Sequence, residues 1–157
     1  MAIVAGAQAL ASDVLGLGRS GHIFLLPNAY DSTTGALSSW TNLDANILNG
    51  YMIFGTNGVD GKETVWKASL AIGTYTLRVI YEKNNNRGIV DFYIDAIEVG
   101  SVDMYDVGAV PDSVYTVAAI NVATDGLKDI KAKVDGKNGA SSNYYMGIQA
   151  IMLWRTA

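Results

Sequence analysis

The sequence predicts an all-β fold, a jelly-roll β-sandwich with a short apolar N-terminal arm, and three observations carry that prediction. The composition is the first. Its 157 residues include 17 glycines, 9 tyrosines and only 2 prolines, half of them are hydrophobic and 17% are charged. That mixture suits many short strands joined by glycine turns, whereas long helices want more Leu, Glu, Lys and Arg. The second is alternation, clearest in the strand that opens at Gly73 and again from Val90 to Asp95, where apolar and polar residues largely exchange places every second position. The third is punctuation, with turn signals at roughly 8–12-residue spacing and no fixed-period repeat, which favours a sandwich over a propeller or solenoid. One domain of this length buries enough surface to fold without disulfides.

Residues 1–21 stand apart as an arm. Ile3, Val4, Leu10, Val14, Leu15 and Leu17 sit among alanines and glycines, with Asp13 and Arg19 the charges of the segment. Ser12 or Asp13 could cap a single helical turn, and Gly16, Gly18 and Gly21 then discourage regular structure. So apolar a segment is expected to pack, either on a neighbouring subunit, as an assembly arm, or back on its own domain. The domain proper, 22–157, opens with the apolar run His22 to Leu26, closed by Pro27-Asn28. Asp31 to Asn42 reads as a polar loop around Trp40, and Ile47 to Phe54 as a strand. Asn57-Gly58 and Asp60-Gly61 are turn dipeptides. Thr64 to Leu70 alternates. From Gly73, Tyr75, Leu77, Val79 and Tyr81 take one face, and Thr76, Arg78 and Glu82 take the other.

Asn84 to Asn86 reads as a turn, and Val90, Phe92 and Ile94 then alternate with Asp91, Tyr93 and Asp95. Ser101 to Tyr105, Val114 to Val122 and Ile130 to Val134 continue the pattern. Tyr144 to Arg155 is apolar on both faces, which places it mid-sheet or beneath the arm. The total is about nine or ten strands.

Several function classes fall away. The net charge is −4 and the 11 basic residues are scattered singly, so no phosphate-binding patch exists and nucleic acid is not an expected partner. No apolar run reaches the ~20 residues that span a bilayer. The opening Met1 to Gly6 has no basic region, so no secretory leader is expected. Zero cysteines exclude disulfides, thiolate nucleophiles and cysteine zinc sites. The single histidine, His22, has no Gly-x-Ser-x-Gly elbow to serve and reads as a strand-edge residue. Asp91, Asp95, Asp103 and Asp106 could be offered to calcium or as a glycosidase pair, but no Asp-x-Asp-x-Asp-Gly loop is present. They are expected to be solvated strand-face carboxylates. No metal, cofactor or catalytic residue is expected.

Aromatic rings are the remaining resource, because sugar rings stack on them while amides and carboxylates supply hydrogen bonds. Trp40, in the loop Ser-Ser-Trp-Thr-Asn, is the candidate platform; Trp66 and Trp154 lie in strand patterns and are expected in the core. Arg87, Asn138 and Tyr144 are further candidate ligand-binding residues, although for Arg87, Lys137 and Asn138 clamping loops by hydrogen bonds is the favoured role. Gly88, Gly100 and Gly126 are expected to supply turn or bulge dihedrals.

The run of motifs from Gly73-Thr-Tyr-Thr-Leu through Arg87-Gly-Ile-Val-Asp, Val99-Gly-Ser-Val-Asp and Gly136-Lys-Asn-Gly to Leu153-Trp-Arg-Thr resembles jelly-roll domains of tailed-bacteriophage virion proteins. More distantly it is similar to carbohydrate-binding modules. It departs from them at Asp95-Ala96, where Asp-Gly is common, so that hairpin is expected to differ. The resemblance implies a non-enzymatic virion component, in a capsid decoration or tail, that forms a homo-oligomer, a trimer in many relatives, and meets other virion proteins. The alternative it implies is a carbohydrate-binding module attaching to a cell-surface glycan.

Overall fold

Alternation decides which side of each strand is buried, and β-branched and aromatic residues fill that side. Nine strands and no helix form among the residues that the structure, a computed structural model, describes: 22–26, 29–33 and 59–157. They are β1 (His22–Leu25), β2 (Ser32–Thr33), β3 (Glu63–Leu70), β4 (Gly73–Lys83), β5 (Ile89–Ile94), β6 (Ile97–Asp103), β7 (Val110–Val122), β8 (Gly126–Val134) and β9 (Ile148–Arg155). A four-stranded sheet, β1-β9-β4-β7, faces a five-stranded sheet, β2-β3-β8-β5-β6. Every strand pairing is antiparallel. The jelly-roll sandwich expected from the sequence is the fold observed.

The inner faces follow the alternation. Tyr75, Leu77, Val79 and Tyr81 of β4 are buried against Trp66 of β3, Phe92 of β5, Ile130 of β8 and Ile151 and Leu153 of β9 in one hydrophobic core. Each such side chain contributes about 1.5–3 kcal/mol when fully withdrawn from water. Trp66 is 1% exposed, and its indole N–H donates to the Leu26 carbonyl at 3.1 Å, satisfying the polar end of a buried ring. β9 lies between β1 and β4, the mid-sheet place its two apolar faces required. At the open edge between β6 and β7, the Tyr115 hydroxyl accepts from the Ser101 amide at 3.0 Å, while its ring stacks on Phe92.

Several expectations are corrected. The last strand begins at Ile148, and 144–147 belong to the loop before it, where Tyr145 bridges Arg87 instead. Ser32 and Thr33, expected in a loop, pair with Val65 and Thr64. Trp154 is not in the core: it stands half-buried on the outer side of β9 with the Arg78 guanidinium 5.2 Å from its ring centroid. Its neighbours in sequence, Leu153 and Arg155, show why, since Leu153 takes the inward side. Gly126 has the positive φ expected of it, +130°, but Gly88 and Gly100 do not. They are glycines for want of room. A Cβ on Gly100 would stand 2.5 Å from the Tyr115 hydroxyl oxygen and 2.7 Å from Val117, and one on Gly88 would stand 2.9 Å from Val134.

At the Asp95-Ala96 hairpin Asp95 itself takes φ +54°. Asp91, expected in solvent, is 6% exposed. Residues 1–21, and Ile47 to Phe54, lie outside the described residues.

The register puts many connections at one end. β4, β6 and β8 finish there, and β3, β5, β7 and β9 start there. Thr33 beside Thr64, and Gly61, whose amide donates to Val134 at 2.9 Å, place both flanks of 34–58 at the same end.

Candidate functional site

At that end three connections meet: the β4–β5 turn (84–88), the β6–β7 loop (104–109) and the β8–β9 loop (135–147). Asparagine in a turn bonds its own backbone and tolerates unusual dihedrals, which is why Asn84-Asn85-Asn86 can reverse the chain here. The turn is then a hub. The Asn84 amide donates to Met104 at 3.1 Å, and the Asp106 amide donates back to Asn84 at 3.2 Å. Gly88 donates to the Tyr145 carbonyl at 2.7 Å, Tyr145 to Asn86 at 3.1 Å, and Ser142 to Asn85 at 2.9 Å. The Ser141 hydroxyl, buried, donates to the Arg87 carbonyl at 2.7 Å. Each contact lets a flanking loop hang from the turn.

Beneath the turn lies a buried ion pair. Arg87 is 1% exposed, and its Nη2 donates to Glu82 Oε2 at 2.5 Å, while Nη1 donates to Asn86 Oδ1 at 2.5 Å. Asn84 Nδ2 donates to Glu82 Oε1 at 3.0 Å. Burial pulls the Arg87 guanidinium below its usual pKa, with Glu82 acting in the other direction. The outward strand position expected for Glu82 is therefore corrected: it points away from the core but is covered by the turn.

On the rim, Tyr105, Tyr144 and Tyr145 are each half-buried, with Asn85 and Ser142 exposed among them. Tyr144 packs on the core and carries the Lys137 ammonium 4.8 Å from its ring centroid. Asn138 Nδ2 donates to Asp103 Oδ2 at 2.8 Å, and its Oδ1 accepts from the Ala140 amide at 3.0 Å, closing the loop on itself. Of the candidates, Arg87, Asn138 and Tyr144 thus come together at one end. Arg87 is too buried to meet a ligand, which corrects that part of its expectation and leaves the loop-clamping part. Trp40, and the arm residues Ile3, Val4, Leu10, Val14, Leu15 and Leu17, lie outside the described residues. Sequence reasoning missed Glu82 and Ser141. An acid five residues before an arginine across an Asn-Asn-Asn turn was the available signal for the first.

The four aspartates do not gather. Asp95 lies at the far hairpin, where the Asp129 amide donates to it at 3.0 Å; that bond and Lys128 hold its carboxyl below the usual range. Asp91 goes the other way: burial, with Asp135 adding to it, raises its pKa against the pull of Ser101 and Lys133. Among the described residues no group of three or more metal-ligating acids or histidines forms, and no helix is long and apolar enough to cross a membrane.

Solved structures of the same shape exist. A carbohydrate-binding module, CBM36-1, of a multidomain xylanase from the hindgut metagenome of Trinervitermes trinervoides matches with a TM-score of 0.61 and 19% identity, covering 87% of this chain and 98% of that one. CsCBM6-3 from Clostridium stercorarium, in complex with cellobiose, matches at 0.58 and 16%, covering 85% and 94%. The sandwich is the fold of these carbohydrate-binding modules. Paenibacillus xanthan lyase contains a similar body, at 0.71 and 23%, over 85% of this chain; the match spans 13% of the lyase. No family model and no curated protein matches the sequence. The two neighbours matched over nearly their whole length are carbohydrate-binding modules, and at these identities the likeness is one of fold.

Proposed function

We propose that the chain is a carbohydrate-binding module and that the three-loop rim is its binding edge. The observation that carries this reading is the convergence, at one end of a sandwich of the carbohydrate-binding-module fold, of three half-buried tyrosines with the exposed Asn85 and Ser142 on loops tied to a common turn. Half-buried rings offer flat apolar surface of the kind a pyranose stacks on, and Asn85, Ser142 and Asp103 offer directional bonds. Residues 34–58, with Trp40, leave and rejoin the described chain at this same end, so Trp40 stays a candidate platform.

The test is calorimetric titration with cellobiose, xylo- and manno-oligosaccharides, followed by a broad glycan array. Binding is expected, weakened about tenfold by Tyr105→Ala or Tyr145→Ala; the glycan should quench or shift tryptophan fluorescence, and Trp40→Ala should abolish that response. No binding across the array removes the reading.

A second reading, assembly of copies of this chain into an oligomer with residues 1–21 as the arm, is favoured by the apolar outer side of the four-stranded sheet, where Phe24 and Val114 are more than half or half exposed. Native mass measurement decides it: a trimer or dimer that reverts to monomer on deleting 1–21 supports it, and a full-length monomer removes it. A virion location would need that oligomer to bind a phage particle.

A further inference from the structure

We propose that the Glu82–Arg87 ion pair is the positioning device of the rim, setting the spacing of the Tyr105 and Tyr144–Tyr145 loops for binding; this rests on the carbohydrate-binding reading. The pair closes the β4–β5 turn from below, joining the last residues of β4 to the residue before Gly88 at 2.5 Å. Inside the same turn Asn84 also bonds the carboxylate and Asn86 the guanidinium. The arginine fork therefore holds Glu82 at the end of β4 and Asn86 in the turn at once, a two-pronged geometry that a point-charge ammonium does not reproduce. Both flanking loops then hang on that turn: Met104 and Asp106 on Asn84, Ser142 on Asn85, Tyr145 on Asn86 and Gly88, Ser141 on Arg87.

Stability is a poor reason for such a pair. Desolvating two charges costs about as much as their attraction returns, and well-packed apolar replacements are often as stable. What apolar replacements cannot supply is direction, because they bond neither Asn84 nor Asn86. A rim held in one geometry before the ligand arrives loses less freedom on binding, so the expected effect of the pair is on affinity.

The experiment compares the full chain with the double variant Glu82→Leu/Arg87→Met, using amide hydrogen exchange and titration with the tightest-binding oligosaccharide of those above. The amides of Asn84, Gly88, Asp106, Ser142 and Tyr145 should exchange about tenfold faster or more, while those of Leu77 and Leu153 in the core stay within about threefold. Affinity should fall about tenfold. Rim amides that exchange as in the parent overturn the proposal, and so does a loosened rim that binds as tightly as before. If the parent binds no glycan while the rim amides loosen, the carbohydrate reading fails and the pair's hold on the rim stands. Should the double variant fail to fold, Arg87→Lys takes its place: it keeps the charge and loses the fork, and the same rim-against-core difference is expected. Its absence overturns the proposal.

Discussion

The outer surfaces of the two sheets are built on the same strand geometry and are chemically opposite. On the five-stranded sheet, Glu63, Lys133, Asp91 and Ser101 stand in one row across the strands, and Val65, Lys131, Tyr93 and Glu98 in the next. Lys67 meets Asp129 at 3.1 Å, Lys131 meets Glu63 at 3.2 Å, and Lys131 also stands 4.6 Å from the Tyr93 ring centroid. This surface answers its own charges. On the four-stranded sheet the rows run Phe24, Met152, Arg78, Thr116 and Ala150, Ile80, Val114. Phe24 is 50% and Val114 57% exposed, and Arg78 is engaged with Trp154. The inward side of both sheets is dictated by folding. The outward side is free to differ, so one sheet carries paired charges there and the other exposes Phe24 and Val114 among Arg78 and Thr116.

The two tryptophans put that distinction to its hardest test. Trp66→Ala should cost about 3–5 kcal/mol in urea unfolding, because it empties a packed site and orphans the Leu26 carbonyl. Trp154→Ala should cost under about 1 kcal/mol, chiefly the contact with Arg78. Similar losses at the two would erase the difference between inner and outer side. Gly100→Ala should follow at about 1–3 kcal/mol, since its new methyl meets Tyr115 and Val117 on the inner side where the sheets close; an unchanged midpoint would show that edge to be loose.

Asp91 is the exception on the polar face, and pH exposes it. Its folded pKa lies above the unfolded value of about 3.9, so the cost of charging it is absent below that pH and grows as pH rises toward the folded pKa. Asp95 is opposite: its folded pKa is depressed, and its contribution is present above the unfolded pKa and lost as pH falls through the folded one. Urea midpoints of Asp91→Asn relative to the parent should therefore move in the variant's favour as pH is raised from about 4, and those of Asp95→Asn should converge on the parent at the acid end. A pH-independent difference at Asp91 would mean it is not desolvated. Smallest of all, Lys67→Ala should change stability by no more than about 1 kcal/mol, and less in high salt, as for any ion pair with both partners half in water.

Much of this fold was legible in the sequence because alternation is local. Tyr75 to Tyr81 and Val90 to Ile94 announce their inward sides without knowledge of their partners, and Asp60-Gly61 and Asn85-Asn86 announce their turns. What a single strand cannot report is how it is covered. Glu82 and Asp91 look like solvent-side acids until the turn and the neighbouring strands close over them. Trp154 looks like core until Leu153 is seen to hold the inward place. The site was legible only as residue types: Asn138 and Tyr144 were candidates, but their meeting with Asn84 and Tyr105 depends on pairings between residues far apart in the chain, and so did the reason Arg87 is buried.

The place of β9 has a consequence for biosynthesis. Among the described residues β1 pairs with β9 alone, and β9 also pairs with β4, so the four described strands of that sheet are joined by residues 148–155. While the polypeptide is still being elongated, His22 to Leu25 lacks β9, its partner among the described strands, and the β4 edge that β9 will cover stays open. Closing such long-range pairs is slow compared with local structure. The emerging chain is thus exposed to mispairing until its last strand arrives, and its yield in a cell should depend on how long that interval lasts.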